Sequence, residues 1–317
     1  MTPTRRQFIL GASSAALLAA CGSSSKGGSA TGSTATSAAP GATDGSGTGT
    51  GATDTTVASG AGIGDAPKQF QVVQRFPSSP LFTPGDIRLP VSISDGQNLS
   101  TVGPATLKGR IVDSKGNSVA DITAKFRFDG IVVPYYEVRA TLPTAAIYTL
   151  RFDGDDGQGA TFETFAPADV KSPLTGKPLP PFDTPTVDNH RGVEPYCTLS
   201  PNPCPLHSMT LTDALKQGKP LCYMVGTPAH CQTGTCAPGL EFLVAEHARV
   251  GDQVVMVHAD IYADNAATQV APAIQALNVD YEPIIYFCDT TGTVVDRLDG
   301  VWDRGELRDR MDALLKA

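Results

Sequence analysis

Leu221-Cys222-Tyr223-Met224-Val225, then Gly226-Thr227-Pro228-Ala229-His230, then Cys231-Gln232-Thr233-Gly234-Thr235-Cys236, lead into an amphipathic run that starts at Leu240. The first five residues read as a buried strand, the next as a turn-forming loop, and the run from Leu240 as a helix. A cysteine pair therefore stands where a strand gives way to a helix. Helix N-termini expose unpaired N–H groups and carry partial positive charge. Both favour a thiolate, the reactive form of cysteine. Cys231 and Cys236 are thus candidates for a redox centre, with a permanent structural disulfide as the alternative.

Outward from this stretch the pattern alternates. Leu211, Ala214 and Leu215 share a helical face, and Gly218 stops that helix before the strand. Val254-Val255-Met256-Val257 reads as a second buried strand and Ala266 to Leu277 as a helix. Ile284-Ile285-Tyr286-Phe287 and Val294-Val295 form a hairpin around Thr291-Gly292, and Gly305 to Leu315 closes with a helix. The order α-β-α-β-α-β-β-α predicts a mixed sheet layered with helices.

That order, with a cysteine pair after the first central strand and Glu282-Pro283 before a later one, resembles the thioredoxin fold over residues 208–317. The hairpin Asp289-Thr290-Thr291-Gly292-Thr293-Val294 and Arg297-Leu298-Asp299-Gly300 extend the resemblance. It implies a cis-proline at Pro283 beside the cysteines, since an X-Pro bond is the one place where a cis peptide costs little. It also implies thiol–disulfide exchange by Cys231 and Cys236 with protein thiols or disulfides as partners, and no cofactor or metal. Pro283 would offer a backbone edge to the incoming peptide, and His230 would stabilise a Cys231 thiolate. Glu282 would oppose that thiolate if it faces the pair. The arrangement further implies that Cys222 and Cys288, on adjacent antiparallel strands, lie close together as a thiol pair or a cross-strand disulfide.

The departures are specific. Four residues separate the cysteines instead of two, His230 replaces the usual tryptophan, and the preceding strand carries no acid. A second registration sets Cys236-Ala237-Pro238-Gly239 in the motif's place, with Cys231 as a resolving cysteine. A redox-inert binding or scaffold role, copper handling with His230 or His258, and peroxide reduction stay open beside exchange.

The N-terminus sets the expected location. Thr4-Arg5-Arg6-Gln7-Phe8-Ile9 resembles a twin-arginine export motif built on Arg5 and Arg6. The uncharged run that follows, Ile9 to Ala20, is too short to span a bilayer, which takes about 20 apolar residues, and suits a signal peptide over residues 1–20. Leu18-Ala19-Ala20-Cys21 resembles a bacterial lipobox, so Cys21 is expected to be acylated and to anchor the chain to the outward, extracytoplasmic face of the cell membrane. Residues 21–65 are nearly all Gly, Ser, Thr and Ala, a composition that cannot bury enough apolar surface to fold. Such a tether would reach a root-mean-square ~35–40 Å. The formal net charge of -8 argues against nucleic-acid binding. Of seven cysteines, six remain once Cys21 is set aside, an even number that suits pairing in an exported protein.

Residues 66–167 alternate apolar and polar residues, as in Ile122, Ala124 and Phe126, between turn signals such as Asp95-Gly96 and Asp129-Gly130. This predicts an antiparallel β-sandwich. Ala146-Ile147-Tyr148-Thr149-Leu150 resembles the tyrosine-corner strand of immunoglobulin-like modules. Asp153, Asp155 and Asp156 read as a solvated turn. Residues 168–207 are proline-rich and read as a linker, in which a Cys197–Cys204 disulfide would close a small loop. A metal site with His190 and His207 is the alternative there.

Overall fold

The computed structural model describes residues 60–316. The export motif at Arg5 and Arg6, the acylation site Cys21 and most of the tether lie outside them. Among the described residues, no helix is long and apolar enough to cross a membrane.

The β-rich half begins with two short parallel partners, β1 (Gly62–Ile63) and β4 (Val102–Gly103). The main strands are β2 (Gln71–Gln74), β3 (Gly85–Ser94), β5 (Thr106–Asp113), β6 (Ser118–Arg127), β7 (Tyr135–Leu142), β8 (Ile147–Phe152) and β9 (Ala160–Glu163). They form one antiparallel sheet in the order β2-β3-β7-β6-β5-β8-β9. The expected pair of separate sheets is instead one continuous seven-stranded sheet. Its edges approach each other, and Gln74 Nε2 donates to the carbonyl of Thr161. Tyr148 Oη donates to Thr144 O at 2.9 Å.

Period-2 burial is clean on β6, where Ile122, Ala124 and Phe126 are buried while Asp121, Thr123 and Lys125 are exposed. On β3 it fails: every residue from Ile87 to Ser94 is buried. The second face of that strand lies under the α/β half. Arg88 reaches across and holds Glu306 through two nitrogens at 2.6 Å each.

The α/β half contains β10 (Leu221–Val225), β11 (Val255–Ala259), β12 (Ile284–Cys288) and β13 (Val294–Asp299), in the order β11-β10-β12-β13. β10 and β11 are parallel; β10–β12 and β12–β13 are antiparallel. Four helices accompany them: α1 (Leu211–Leu215), α2 (Cys236–Val250), α3 (Pro272–Leu277) and α4 (Arg304–Leu314). Both central strands, β10 and β12, are buried throughout, which is why they read as unbroken apolar runs. One face packs Cys222, Met224, Ile285 and Phe287 against Leu240, Leu243 and Met311. The other packs Leu221, Tyr223, Tyr286 and Cys288 against Leu211, Ile274 and Leu277.

Two expectations change here. The proline-rich stretch does more than link. Leu179, Val193 and Leu206 are buried, Val294 N–H donates to Lys177 O, and His258 N–H donates to Leu206 O. It is built into the α/β half along both sides of its sheet. The Cys222–Cys288 pairing is corrected by register. Cys222 stands opposite Phe287 and Cys288 opposite Leu221, so the two thiols point to opposite faces of the sheet. Both are free and buried. Burial pushes Cys222 well up and Cys288 to about 12, the behaviour of inert core thiols.

Candidate redox site

Strand β10 ends at Val225, and its chain passes Gly226 before entering the loop of the cysteine pair. Gly226 is wedged. A Cβ there would crowd Met224 Cε at 3.1 Å and Pro283 Cβ at 3.3 Å, and would reach ordinary contact with Cys236 Cβ at 3.6 Å. The Glu282–Pro283 bond beside it is cis.

Cys231 and Cys236 form a disulfide with Cα atoms 5.9 Å apart. Helix α2 starts at Cys236, four residues before the apolar run that announces it in the sequence. Thr235, its N-cap, makes no side-chain bond to the first turn; its hydroxyl donates to Gly300 O instead. Cys236 N–H, the first of the helix, donates to Cys231 Sγ at 3.3 Å. Thr233 Oγ1 lies 3.2 Å from the same sulfur. The two sulfurs differ in access. Cys236 is 0% exposed, whereas Cys231 is partly open to solvent.

Glu282 supplies the acid that β10 lacks. One of its carboxylate oxygens lies within 4.8 Å of both sulfurs, and the carboxylate accepts the N–H of Thr227. Burial raises its pKa against the opposing pull of that bond. The sequence places Glu282 next to Pro283, but nothing in the spacing says that it turns towards the cysteines. His230 is less engaged. Its ring packs edge-on to Tyr262 with centroids 5.9 Å apart, and no hydrogen bond among the described residues joins it to either sulfur. Beside the pair, a cleft of about 230 Å³ is lined by Arg75, Phe76 and Pro77 of the β half and by Thr233, Glu282 and Gly300.

Cys197 and Cys204 do not form the expected disulfide. Both are free and buried, and they share a pocket with His207 and His258. His190, which the sequence offered as their neighbour, pairs with Glu194 at 2.7 Å instead. The signal missed is long-range: His258 comes from β11, more than fifty residues downstream of either cysteine.

No family model matches the chain, and no curated protein matches it. Solved structures similar to it include one described as "thiol:disulfide interchange protein, thioredoxin family protein from Chlorobium tepidum TLS", at 15% identity and a TM-score of 0.33, covering 45% of this chain and 98% of that one. Another is the C-terminal domain of a chain assigned as a thiol-disulfide oxidoreductase from Bacteroides thetaiotaomicron, at 12% identity and a TM-score of 0.33, covering 46% of this chain and 99% of that one. At such identity and score the likeness is too slight to carry a function, and the geometry of the site has to do so.

Proposed function

We propose that the chain is a thiol–disulfide oxidoreductase that works through Cys231 and Cys236 on protein thiols and disulfides. The observation that carries this reading is the asymmetry of the pair. One sulfur is accessible and receives the first N–H of a fifteen-residue helix; the other is sealed beside the half-buried carboxyl of Glu282.

Exchange then runs in balanced steps. With the disulfide formed, a substrate thiolate attacks Cys231 Sγ, the only approachable sulfur of the two. The Cys231–Cys236 bond breaks, its electron pair goes to Cys236, and protonated Glu282 returns a proton to that buried thiolate. A second substrate thiolate attacks its own sulfur in the mixed disulfide and releases Cys231 as a thiolate, held by the helix N-terminus. In reverse, Cys231 attacks a substrate disulfide and Glu282 takes the proton of Cys236 as it resolves the intermediate. The cleft bounded by Arg75 to Pro77 suits an extended peptide laid beside Pro283. The N-terminal resemblances support a setting for this chemistry: export, acylation at Cys21, and display on the outward face of the membrane.

Two measurements test the reading. The pair should titrate between about −120 and −270 mV; a value below about −300 mV would mark a structural disulfide. Cys236→Ser should accumulate mixed disulfides through Cys231, while Cys231→Ser should accumulate none. Trapping by neither variant would refute exchange.

A further inference from the structure

The pocket of Cys197, Cys204, His207 and His258 holds four buried side chains whose donor atoms all lie within 4.8 Å of one another. Hydrogen bonds fix the tautomers of both imidazoles. His207 Nδ1 faces Pro185 O at 3.2 Å, and His258 Nε2 faces Gly226 O at 2.8 Å. A carbonyl only accepts, so both of these nitrogens carry the proton. In the neutral rings His207 Nε2 and His258 Nδ1 then present lone pairs to each other across 3.1 Å. Such an approach in a buried pocket needs a proton or a metal cation between the two nitrogens.

The remaining distances say which kind of cation. Cys197 Sγ is 3.8 Å and Cys204 Sγ 3.6 Å from His258 Nδ1. A tetrahedral ion with ~2.3 Å bonds to sulfur and ~2.05 Å bonds to nitrogen needs S···N edges of about 3.6 Å and an N···N edge of about 3.3 Å. The three edges that meet at His258 Nδ1, at 3.8, 3.6 and 3.1 Å, lie close to these values, and the other donor atoms are all within 4.8 Å. It also has an outer shell. Each histidine donates its distal N–H to a carbonyl, Asp260 Oδ1 lies 3.5 Å from His258 Nε2 with no other partner, and Cys204 N–H donates to Cys197 Sγ at 3.3 Å.

We propose that Cys197, Cys204, His207 and His258 form a structural site for one tetrahedral divalent ion of the Zn²⁺ class. Loading releases two protons, one from each thiol, and leaves two thiolates and a dication with no net charge. That balance suits a pocket closed to water; a monovalent ion would leave it negative. The site is closed because all four positions are filled by protein, the pattern of structural rather than catalytic zinc. It joins three pieces of chain: the proline-rich stretch, strand β11, and through His258 the carbonyl of Gly226, where the loop of the cysteine pair begins. Thr198 adds a second tie, its hydroxyl accepting Ala229 N–H at 3.3 Å.

The test uses the full chain, reduced and stripped with a chelator, then titrated with Zn²⁺ alone or Co²⁺ alone. We expect saturation at one ion per chain and, with Co²⁺, intense tetrahedral ligand-field absorption with thiolate charge transfer. Cys197→Ser and His207→Ala should lose stoichiometric binding. The double variant Cys231→Ser/Cys236→Ser should bind as the parent does, which keeps this site separable from the redox reading. The parent Co²⁺ spectrum decides the matter even if a ligand variant fails to fold. Three results would overturn the proposal: no stoichiometric uptake by the reduced parent, loss of uptake in the Cys231/Cys236 double variant, or a Cys197–Cys204 disulfide in peptides of protein isolated from its native cells.

Discussion

At the scale of single residues, Glu282 is the group whose chemistry differs most from its reading in sequence. It was expected only to oppose a thiolate. Its place near both sulfurs, with Cys236 sealed beside it, makes it a group placed to move a proton to or from that thiol. Glu282→Gln should slow resolution of the mixed disulfide by roughly 10²-fold, the low end of what a positioned general acid or base contributes, while hardly changing the first attack at Cys231. Stopped-flow quenching of a single-turnover reaction separates the two steps. The pH dependence follows from the raised pKa. Taking the proton of Cys236 needs the carboxylate, so that direction should speed up as pH rises through the raised Glu282 value. Returning the proton needs the acid, so the reverse direction should slow over the same range. Glu282→Gln should flatten both limbs. Equal pH profiles for variant and parent would remove Glu282 from the mechanism.

At the scale of elements, β10, β12 and Pro283 were legible because buried strands and an X-Pro bond announce themselves locally. The start of α2 was not. Cys236, Ala237 and Pro238 lack the apolar period that marks a helix from Leu240 onward, and Thr235 spends its hydroxyl on Gly300 instead of capping. The register of Cys222 and Cys288 was also beyond reach, since a one-residue offset changes the face but leaves the pattern of each strand intact. Of the two histidines that join Cys197 and Cys204, His207 is one the sequence offers, but the other has to be brought by β11, and spacing favours the nearer His190 in its place. Helix α2 has one further demand that only packing reveals. A Cβ on Gly239 would stand 2.7 Å from Trp302 Cζ2, in a wall where Trp302 is buried. Gly239→Ala should therefore gain helix propensity yet lose about 1–3 kcal/mol to overpacking, read as a lower denaturant midpoint at unchanged slope. A stabilised variant would mean that Trp302 can move aside.

At the scale of the whole molecule, the two halves meet through charge. Arg88 and Tyr135 hold Glu306, Arg127 and Arg310 hold Glu137, and Arg127 also reaches Asp309. Period-2 alternation through Ile122, Ala124 and Phe126 on β6 leaves Arg127 to water, because a polar residue on a strand looks solvated until its partner from α4 is known. Burial works against the charge on Glu137, but the guanidiniums of Arg127 and Arg310 outweigh it and hold its carboxyl well below the usual range. The sign of the linkage is that of a depressed acid. Its stabilisation is complete above the unfolded carboxylate pKa of about 4.5 and is lost as pH falls towards the depressed folded value. Glu137→Gln should cost up to roughly 3–5 kcal/mol near neutral pH, since it removes the main counter-ion of buried Arg127 and of half-buried Arg310 and leaves them only Asp309 and Asp296, and the penalty should shrink in acid. Urea melts of parent and variant at several pH values measure both; parallel curves would exclude the linkage.

The same interface bears on how such a chain can be inherited. A sheet whose outer face carries Arg88, Arg127 and Glu137 is a poor gift to another protein, because it arrives with unmatched ions where a neutral neighbour would be needed. A helix bearing Glu306 and Arg310 has the mirror-image difficulty. Recombination that shuffled either half into a new gene would have to bring its counterpart or replace several charges at once. The pair should therefore travel through evolution as one cassette, and engineered chimaeras that respect the obvious seam between strands and helices should fail more often than those that cut elsewhere.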